Sequence, residues 1–155
     1  MQMNDFSQAI NVLQARFGNQ LSTNLTTREQ HAHTMSWLPN EPADAVLTAH
    51  NKHDVADAVK ICNEYKMPVI AFGVGSSVEG QLNAPLGGLC IDMSAMTEIL
   101  QVNEADLTAT VQAGVTREQL NHHLRMTGLF FPIDPGANAT LGGMVATRAS
   151  GTNAV

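Results

Sequence analysis

The sequence predicts an α+β fold that begins with a βαβ unit. A short apolar strand (Asp44 to Ala49) precedes a helical stretch (His53 to Lys66), and a second strand (Pro68 to Phe72) follows within about thirty residues. The second strand is almost continuously apolar, which is typical of a strand covered on both faces. Two later segments, residues 98–103 and 107–114, predict an antiparallel hairpin because only a short polar spacer separates them.

The first 43 residues are predicted to form a helical segment that precedes the main domain, residues 44–155. Apolar residues recur at helical spacing and predict a helix over residues 5–17, which Gly18 ends. Thr27 and Gln30 predict a short helical turn because they are spaced as a capping box. The apolar stripe of the first helix consists of Phe6, Ile10, Leu13 and Phe17.

Three further elements complete the predicted order. A third strand is predicted over residues 88–93, and a short helix over residues 140–148. Between them, Thr116 and Gln119 predict a capped helix that ends near Gly128. The helix over residues 53–66 is predicted to bury one face, which is made of Val55, Ala58, Val59 and Cys62.

Composition excludes several classes of protein. A chain of 155 residues is long enough for one domain with a real core. The formal net charge is -6 and the basic residues are scattered, which argues against a nucleic-acid partner. The sequence has neither a long apolar run nor a signal-peptide pattern, so we expect a cytoplasmic protein without a membrane span. Cys62 and Cys90 are predicted to be buried free thiols.

The segment "FGVGSSVEGQ", Phe72 to Gln81, follows the second strand and matches neither common phosphate-binding pattern. A Rossmann fingerprint needs glycine where Val78 stands, and a Walker A loop needs a lysine that this segment lacks. A concave nest of backbone N–H groups remains, in which glycines take positive φ and Ser76 and Ser77 add hydroxyl donors. The alternative is a tight connection between strands that binds nothing.

A second stretch of small residues favours the first interpretation. It reads "DPGANATLGGM" and is followed closely by "ASG". Small residues occur where a backbone approaches a flat or bulky group closely. Two such stretches in one short chain predict one extended ligand that contacts both.

The remaining polar residues give no catalytic assignment. The six histidines lack cysteine or carboxylate neighbours at metal spacing, so no metal site is predicted. His122 and His123 are predicted to lie on the exposed face of their helix. Asp134, between two prolines, fits two roles, to orient a substrate or to fix its own loop.

Four stretches of the sequence resemble the FAD-linked oxidase family, which includes vanillyl-alcohol oxidase and p-cresol methylhydroxylase. The sequence is most similar to the branch of D-lactate dehydrogenase (cytochrome) and the glycolate oxidase FAD subunit. The resemblance implies an α+β FAD-binding domain of the p-cresol methylhydroxylase type, with a βαβ first subdomain and an incomplete second one. The four stretches are "REQH" from Arg28, "PVIAFGVGSSVEGQLNAPLGG" from Pro68, "QAGVTREQL" from Gln112, and "GLFFPIDPGANATLGGMVATRASGTNAV" from Gly128 to Val155.

The resemblance also implies which residues contact FAD. Some relatives attach the flavin covalently to a histidine of the first glycine-rich stretch, but Ser76 stands at that place here, so non-covalent FAD is expected. The pyrophosphate would be wrapped by Gly73, Val74, Gly75, Ser76, Ser77, Gly80 and Gln81. The ribityl chain and flavin ring would be lined by Pro135, Gly136, Thr140, Leu141, Gly142, Gly143, Ala146, Ser150, Gly151 and Asn153.

The resemblance implies a function for a protein longer than this chain. Relatives continue into the rest of the second subdomain and a substrate-binding cap domain. The chain is therefore expected to be the truncated FAD-binding portion of a 2-hydroxy-acid (D-lactate-like) dehydrogenase, in which the flavin accepts hydride, and to be inactive alone. The alternative is a non-catalytic module that holds no flavin and self-associates as a homo-oligomer, such as a dimer. One departure from the family is Ala49, where relatives have a proline that touches the cofactor.

Overall fold

The structure is a computed structural model that describes residues 5–34 and 36–151. Within those ranges the chain forms five α-helices and six strands, which belong to two sheets. In chain order the elements are α1 (Ser7–Phe17), a 3-10 turn (Gly18–Gln20), β1 (Leu21–Ser22), α2 (Leu25–Ala32), β2 (Ala45–Thr48), α3 (Lys52–Glu64), β3 (Val69–Phe72), β4 (Leu89–Asp92), β5 (Ile99–Asn103), β6 (Thr108–Val111), α4 (Arg117–Leu124) and α5 (Leu141–Thr147).

The larger sheet has the strand order β1-β2-β4-β3. The strands of the predicted βαβ unit, β2 and β3, are both parallel to β4, which lies between them. Thr48 and Phe72 are both in register with Asp92, so the carboxyl ends of the three parallel strands meet at one edge. Such an edge is where open α/β sheets bind ligands, because the connecting loops leave a crevice there.

Alternating residues of the sheet supply two hydrophobic cores. Leu47 of β2 and Ile91 of β4 face a core that α1 and α3 complete. Val46 and Cys90 face the opposite side, where Ala84 covers them. Both cysteines are buried as predicted, and burial raises the pKa of Cys62 to about 11 and that of Cys90 to about 12.

The first 43 residues are integrated with the sheet. Leu13 and Phe17 of α1 are buried in the same core as the central strands. The short strand β1, which the sequence did not predict, pairs antiparallel with β2. Helix α2 begins at Leu25 and is capped by the Asn24 side chain, three residues earlier than the cap predicted at Thr27.

Two predictions about burial are wrong. Strand β3 is an edge strand with alternating exposure, and Val69 is 41% exposed, because β4 and not β3 occupies the centre of the sheet. On α3, Val59 is exposed, because the buried stripe runs through Asp54, Ala58 and Cys62 at four-residue spacing. An apolar run alone does not distinguish an edge strand from a central one.

The second part of the fold is a hairpin packed on two helices. Strands β5 and β6 pair antiparallel, as predicted, with an irregularity between Ile99 and Gln101. Helix α4 begins with the predicted capping box of Thr116 and Gln119. Val115, Leu120 and Leu141 form part of a separate small core beneath the hairpin. In the portion of the chain that the structure describes, no helix combines the length and the apolar character needed to cross a membrane.

Candidate functional site

The candidate site is a cleft between the glycine loop, defined here as Gly73–Gln81, and the start of α5. The loop leaves the carboxyl end of β3, and Met93, just beyond β4, adds to the floor. The cleft has a volume of about 360 Å³ and is lined mainly by small residues from both stretches. The structure therefore brings together the two small-residue stretches that were predicted to contact one ligand.

The glycine loop contacts the start of α5 at Gly73. Thr140 is buried and caps α5, because its Oγ1 accepts a hydrogen bond from the Gly143 N–H (3.3 Å). A Cβ atom added at Gly73 would lie only 2.5 Å from that Oγ1 atom. Glycine is thus required at position 73 for the loop to approach the helix cap so closely.

A second close approach holds α5 against the end of β6. The Gly142 N–H donates to the Ala113 carbonyl (2.9 Å), and a Cβ at position 142 would lie 2.8 Å from the Ala113 Cβ. An isolated antiparallel bridge between Thr116 and Thr140 adds to this contact. The far wall of the cleft is therefore fixed by backbone contacts that a side chain at position 142 would disturb.

The two walls differ in how their backbone N–H groups are used. At the start of α5, the N–H groups of Leu141, Gly142 and Gly143 all donate to protein acceptors. Across the cleft, the N–H groups of Val74 to Gln81 donate to none of the described residues. Gly75 and Gly80 have φ of 68° and 74°, as a nest of N–H groups requires. An anion in the cleft would therefore bind the loop and not the helix end.

Most of the residues predicted to contact FAD line this cleft. Five predicted residues within the described structure do not line the cleft, although the first of them belongs to the glycine loop: Gly80, Gly136, Leu141, Ser150 and Gly151. Leu141 faces the small core of the second part, and Asn153 lies outside the described residues. The predicted residues that line the cleft are Gly73, Val74, Gly75, Ser76, Ser77, Gln81, Pro135, Thr140, Gly142, Gly143 and Ala146.

Several lining residues were not predicted from the sequence. Phe72 and Met93 lie at the carboxyl ends of parallel strands, so the general rule for ligand sites in such sheets would have found them. Ala113 enters the cleft only through its contact with α5, and nothing local in the sequence indicates it. The other lining residues missed are Ala71, Val78, Glu79, Leu82, Ala137, Ala139, Met144, Thr147 and Ala149.

Asp134 fixes its own loop, which was one of its two candidate roles. Its Oδ2 forms an ion pair with Arg117 Nη1 (3.2 Å), and its Oδ1 accepts a hydrogen bond from the Gly136 N–H (3.1 Å). Gly151 packs against the Asp134 backbone. His122 and His123 are exposed on α4, as predicted. In residues 5–34 and 36–151, no group of three His, Cys, Asp or Glu side chains is placed to hold a metal ion.

A partly buried His–Asp pair lies beside Phe72, which lines the cleft. His31 Nδ1 is 2.7 Å from the Thr27 carbonyl oxygen, and His31 Nε2 is 3.1 Å from Asp92 Oδ2. The hydrogen bond with Asp92 raises the pKa of His31, although burial opposes it. Burial alone would raise the pKa of Asp92, but its hydrogen bonds with His31 and the Ser94 N–H (2.8 Å) lower it. The imidazole packs against Phe72, with ring centroids 4.5 Å apart.

Solved structures of other proteins define the class of this fold. An alkyldihydroxyacetonephosphate synthase superposes with a TM-score of 0.85 over 97% of this chain and 32% of that chain, at 24% identity. Substrate-bound p-cresol methylhydroxylase superposes with a TM-score of 0.68 over 83% of this chain and 25% of that chain, at 23% identity. The fold is therefore the p-cresol methylhydroxylase type of FAD-binding domain, as predicted.

The chain belongs to the FAD binding domain family, whose match covers residues 43–155. A probable mitochondrial D-lactate dehydrogenase of Danio rerio is 44% identical over 135 residues, which are 87% of this chain and 27% of that protein. Glycolate oxidase subunit GlcD of Bacillus subtilis (strain 168) is 33% identical over 110 residues, which are 70% of this chain and 23% of that protein. The chain thus spans about a quarter of the length of these curated relatives.

The residues of the cleft fit the family's cofactor, FAD. Its pyrophosphate needs hydrogen-bond donors, and the loop offers N–H groups that no described residue accepts. Glu79 is the one ionisable side chain among the described lining residues, and it is exposed to solvent. Because no Lys or Arg lines the described cleft, backbone N–H groups would supply the attraction for the phosphates.

Proposed function

We propose that this chain is the FAD-binding portion of a flavin-dependent 2-hydroxy-acid dehydrogenase of the D-lactate type. The observation that carries the proposal is the cleft between the glycine loop and α5, with a row of loop N–H groups that donate to none of the described residues. The identity of 44% with a protein named as a probable D-lactate dehydrogenase supports the substrate class. Bound FAD would supply the acceptor for hydride from the carbon that bears the hydroxyl group.

In this proposal the chain binds and orients the cofactor. The amides of Val74 to Gln81 would donate to the pyrophosphate, and Ser76 and Ser77 would add hydroxyl donors. The second wall, from Thr140 to Ala146, would lie along the ribityl chain and the flavin ring. Among the described residues that line the cleft, the exposed Glu79 is the one titratable side chain that could act on a substrate proton. Chemistry on the substrate therefore needs residues from outside the cleft.

Binding of FAD is tested by quenching of flavin fluorescence on titration with the purified chain. We expect FAD and ADP to compete for the site, whereas riboflavin, which lacks the pyrophosphate, should bind much more weakly. Equal binding of riboflavin and FAD would contradict the assignment of the loop to the phosphates. Absence of any FAD binding would contradict the proposed function.

The cofactor is proposed to be non-covalent because Ser76 stands where some relatives carry the histidine that bonds to the flavin. Acid precipitation of the loaded protein should therefore release all flavin absorbance into the supernatant. Flavin that remains in the pellet would contradict this point.

The chain alone is proposed to have no dehydrogenase activity. The measurement is D-lactate-dependent reduction of a dye by the FAD-loaded chain, with 2-hydroxy acids of other sizes as further substrates. The expected rate is zero above the no-substrate control, and a substrate-dependent rate would contradict the proposal.

A second candidate function is a non-catalytic module that self-associates. An apolar groove of about 730 Å³ lies between the hairpin, α4 and α5, and it includes Phe130 (65% exposed) and Val145 (80% exposed). Exposed apolar surface of this kind favours association, here with a second copy of the chain. Light scattering should then give the mass of a dimer for the wild-type chain. Val145→Glu should lower the measured mass towards that of a monomer. A monomer that binds FAD would exclude this candidate.

The cytoplasmic location remains a prediction from the sequence. The Danio rerio relative is named as a mitochondrial protein. Localisation of a tagged full-length protein would decide between the two compartments.

A further inference from the structure

Both ring nitrogens of His31 face groups that only accept hydrogen bonds. Nδ1 lies 2.7 Å from the Thr27 carbonyl oxygen, and Nε2 lies 3.1 Å from a carboxylate oxygen of Asp92. A neutral imidazole carries one N–H, so it can satisfy only one of these two contacts. Only the doubly protonated, cationic form of His31 can donate a hydrogen bond to both groups at once.

The partner carboxylate is held in place by its own contacts. Asp92 Oδ1 accepts the Ser94 N–H (2.8 Å), while Oδ2 accepts from His31. The side chains of His31 and Asp92 are 15% and 12% exposed, so solvent screens the pair only partly. The pair joins α2 to the carboxyl end of β4, next to the strand that leads into the glycine loop.

No other ionisable group competes for the imidazole in the described part of the chain. Strands β2 and β3 carry no titratable side chain. On β4, the Cys90 thiol is neutral, since burial raises its pKa to about 12. On α2 itself, Arg28 directs its Nε towards the Ala43 carbonyl, while Glu29 and the nearby His33 are exposed.

Phe72 contacts both His31 and the glycine loop. Its ring packs on the imidazole with a centroid separation of 4.5 Å. On the loop side, the ring edge would be 3.2 Å from a Cβ placed on Gly75, so Gly75 lies directly against it. Gly75 is one of the residues with positive φ that shape the nest.

We propose that His31 is a positioning residue for the cofactor: held as a cation, it fixes the Phe72 ring and thereby the Gly75 turn of the glycine loop. The proposal deepens the proposed function and rests on it for the identity of the ligand. A neutral His31 loses one of its two hydrogen bonds, which frees the imidazole and loosens the ring that supports the loop.

The pH dependence follows from the two groups of the pair. The pKa of His31 in the folded protein is raised above 6.5. Its contribution to folding stability is therefore full below pH 6.5 and is lost as the pH rises through the folded-state pKa. The pKa of Asp92 in the folded protein is lowered below 3.8. Its contribution to folding stability is therefore full above pH 3.8 and is lost as the pH falls through the folded-state pKa. FAD affinity is expected to be highest between pH 3.8 and 6.5, where both groups are charged, and to fall at higher pH as His31 loses its proton.

The protonation of His31 is tested first, in the chain without FAD. Long-range ¹H–¹⁵N spectra of the histidine rings, recorded against pH, should show both His31 nitrogens protonated to higher pH than those of His122. Asp92→Asn should lower the His31 midpoint. A His31 midpoint at or below that of the exposed His122 would overturn the proposal.

The positioning role is tested with His31→Leu and the milder Asp92→Asn, using His122→Leu as the matched control. Both test variants should change the NMR chemical shifts of the backbone amides from Phe72 to Gly75, and the control should leave them unchanged. FAD affinity should fall by about tenfold in His31→Leu, as expected for loss of a hydrogen bond between charged groups. The positioning role would be overturned if the amide signals of the loop were unchanged in both test variants, or if the FAD affinity were unchanged in both.

The two proposals can fail separately. If the wild-type chain binds no FAD, the proposed function fails, while the ring and amide spectra still decide whether His31 is charged and whether it positions the loop. If FAD binds with equal affinity at all pH values from 5 to 9 (roughly the range that a His pKa spans), the proposed function stands and the role of His31 is overturned.

Discussion

In the glycine loop the backbone N–H groups from Val74 to Gln81 have no acceptor among the described residues, whereas those at the start of α5 all donate within the protein. Both walls of the cleft are rich in glycine, but only the loop uses it for positive φ. Gly75 and Gly80 have positive φ, whereas Gly73 and, in α5, Gly142 permit close packing. The comparison teaches that one wall presents N–H groups that no described residue accepts, whereas the other is fixed by hydrogen bonds within the protein and contacts the first wall at Gly73.

The largest expected effect comes from Gly73→Ala, which breaks the contact between the two walls. The new Cβ would overlap the Thr140 hydroxyl, and overpacking of this kind costs about 2 kcal/mol, or roughly 30-fold in FAD affinity if the loop moves to relieve it. Isothermal titration with FAD measures the loss.

The control for this variant is the double substitution Gly73→Ala with Thr140→Ala, which removes the overlapping hydroxyl. Most of the affinity should return in the double variant. An affinity loss that is simply the sum of the two single losses would show that the contact does not hold the loop.

The next effect in size is expected for Gly142→Ala, which tests the packed wall. Its Cβ would meet both the Cβ and the carbonyl oxygen of Ala113, so we expect a loss of about 1–2 kcal/mol in the free energy of unfolding. Urea denaturation gives the value.

Gly143→Ala is the matched control, since its Cβ would meet only the Thr140 hydroxyl at 3.0 Å. Alanine also favours a helix by up to about 1 kcal/mol, so this variant should be neutral or more stable. Equal destabilisation by the two substitutions would argue against the contact with Ala113.

A smaller effect is expected for Thr140→Ala alone. The variant removes the helix cap of α5 and should cost about 1 kcal/mol of stability while it leaves the loop free of overlap. Thr140→Ser keeps the capping oxygen and should retain stability. Thermal unfolding of both variants tests the distinction, and equal losses in the two would assign the effect to the methyl group.

The smallest effect is expected for Ser76→Ala and Ser77→Ala. If backbone N–H groups supply the attraction for the pyrophosphate, loss of either hydroxyl should lower FAD affinity by less than about fivefold. A loss of a hundredfold in either variant would mean that side chains and not the backbone form the anion site.

Local patterns in the sequence predicted the elements and much of the cleft. The Thr116 capping box, the apolar strands and both glycine stretches depend on neighbours within a few residues, so they can be recognised in the sequence. Strand order depends on long-range pairing, and the sequence therefore gave no indication that β4 would separate β2 from β3. Phe72 and Met93 join the cleft only through that pairing, and β1 is too short to carry any alternating pattern.

The pairing of β1 and the burial of α1 have a consequence for the borders of this domain. The family match begins at residue 43, but Phe6, Leu13 and Leu21 lie in one core with residues of the central strands β2 and β4. The border of the family match is therefore not the border of the hydrophobic core, and the Danio rerio relative accordingly aligns over 135 residues, which is more than the family match spans. A piece cut at residue 43 would expose the inner face of its own sheet, so transfer of this cofactor module into another protein requires its first helix as well.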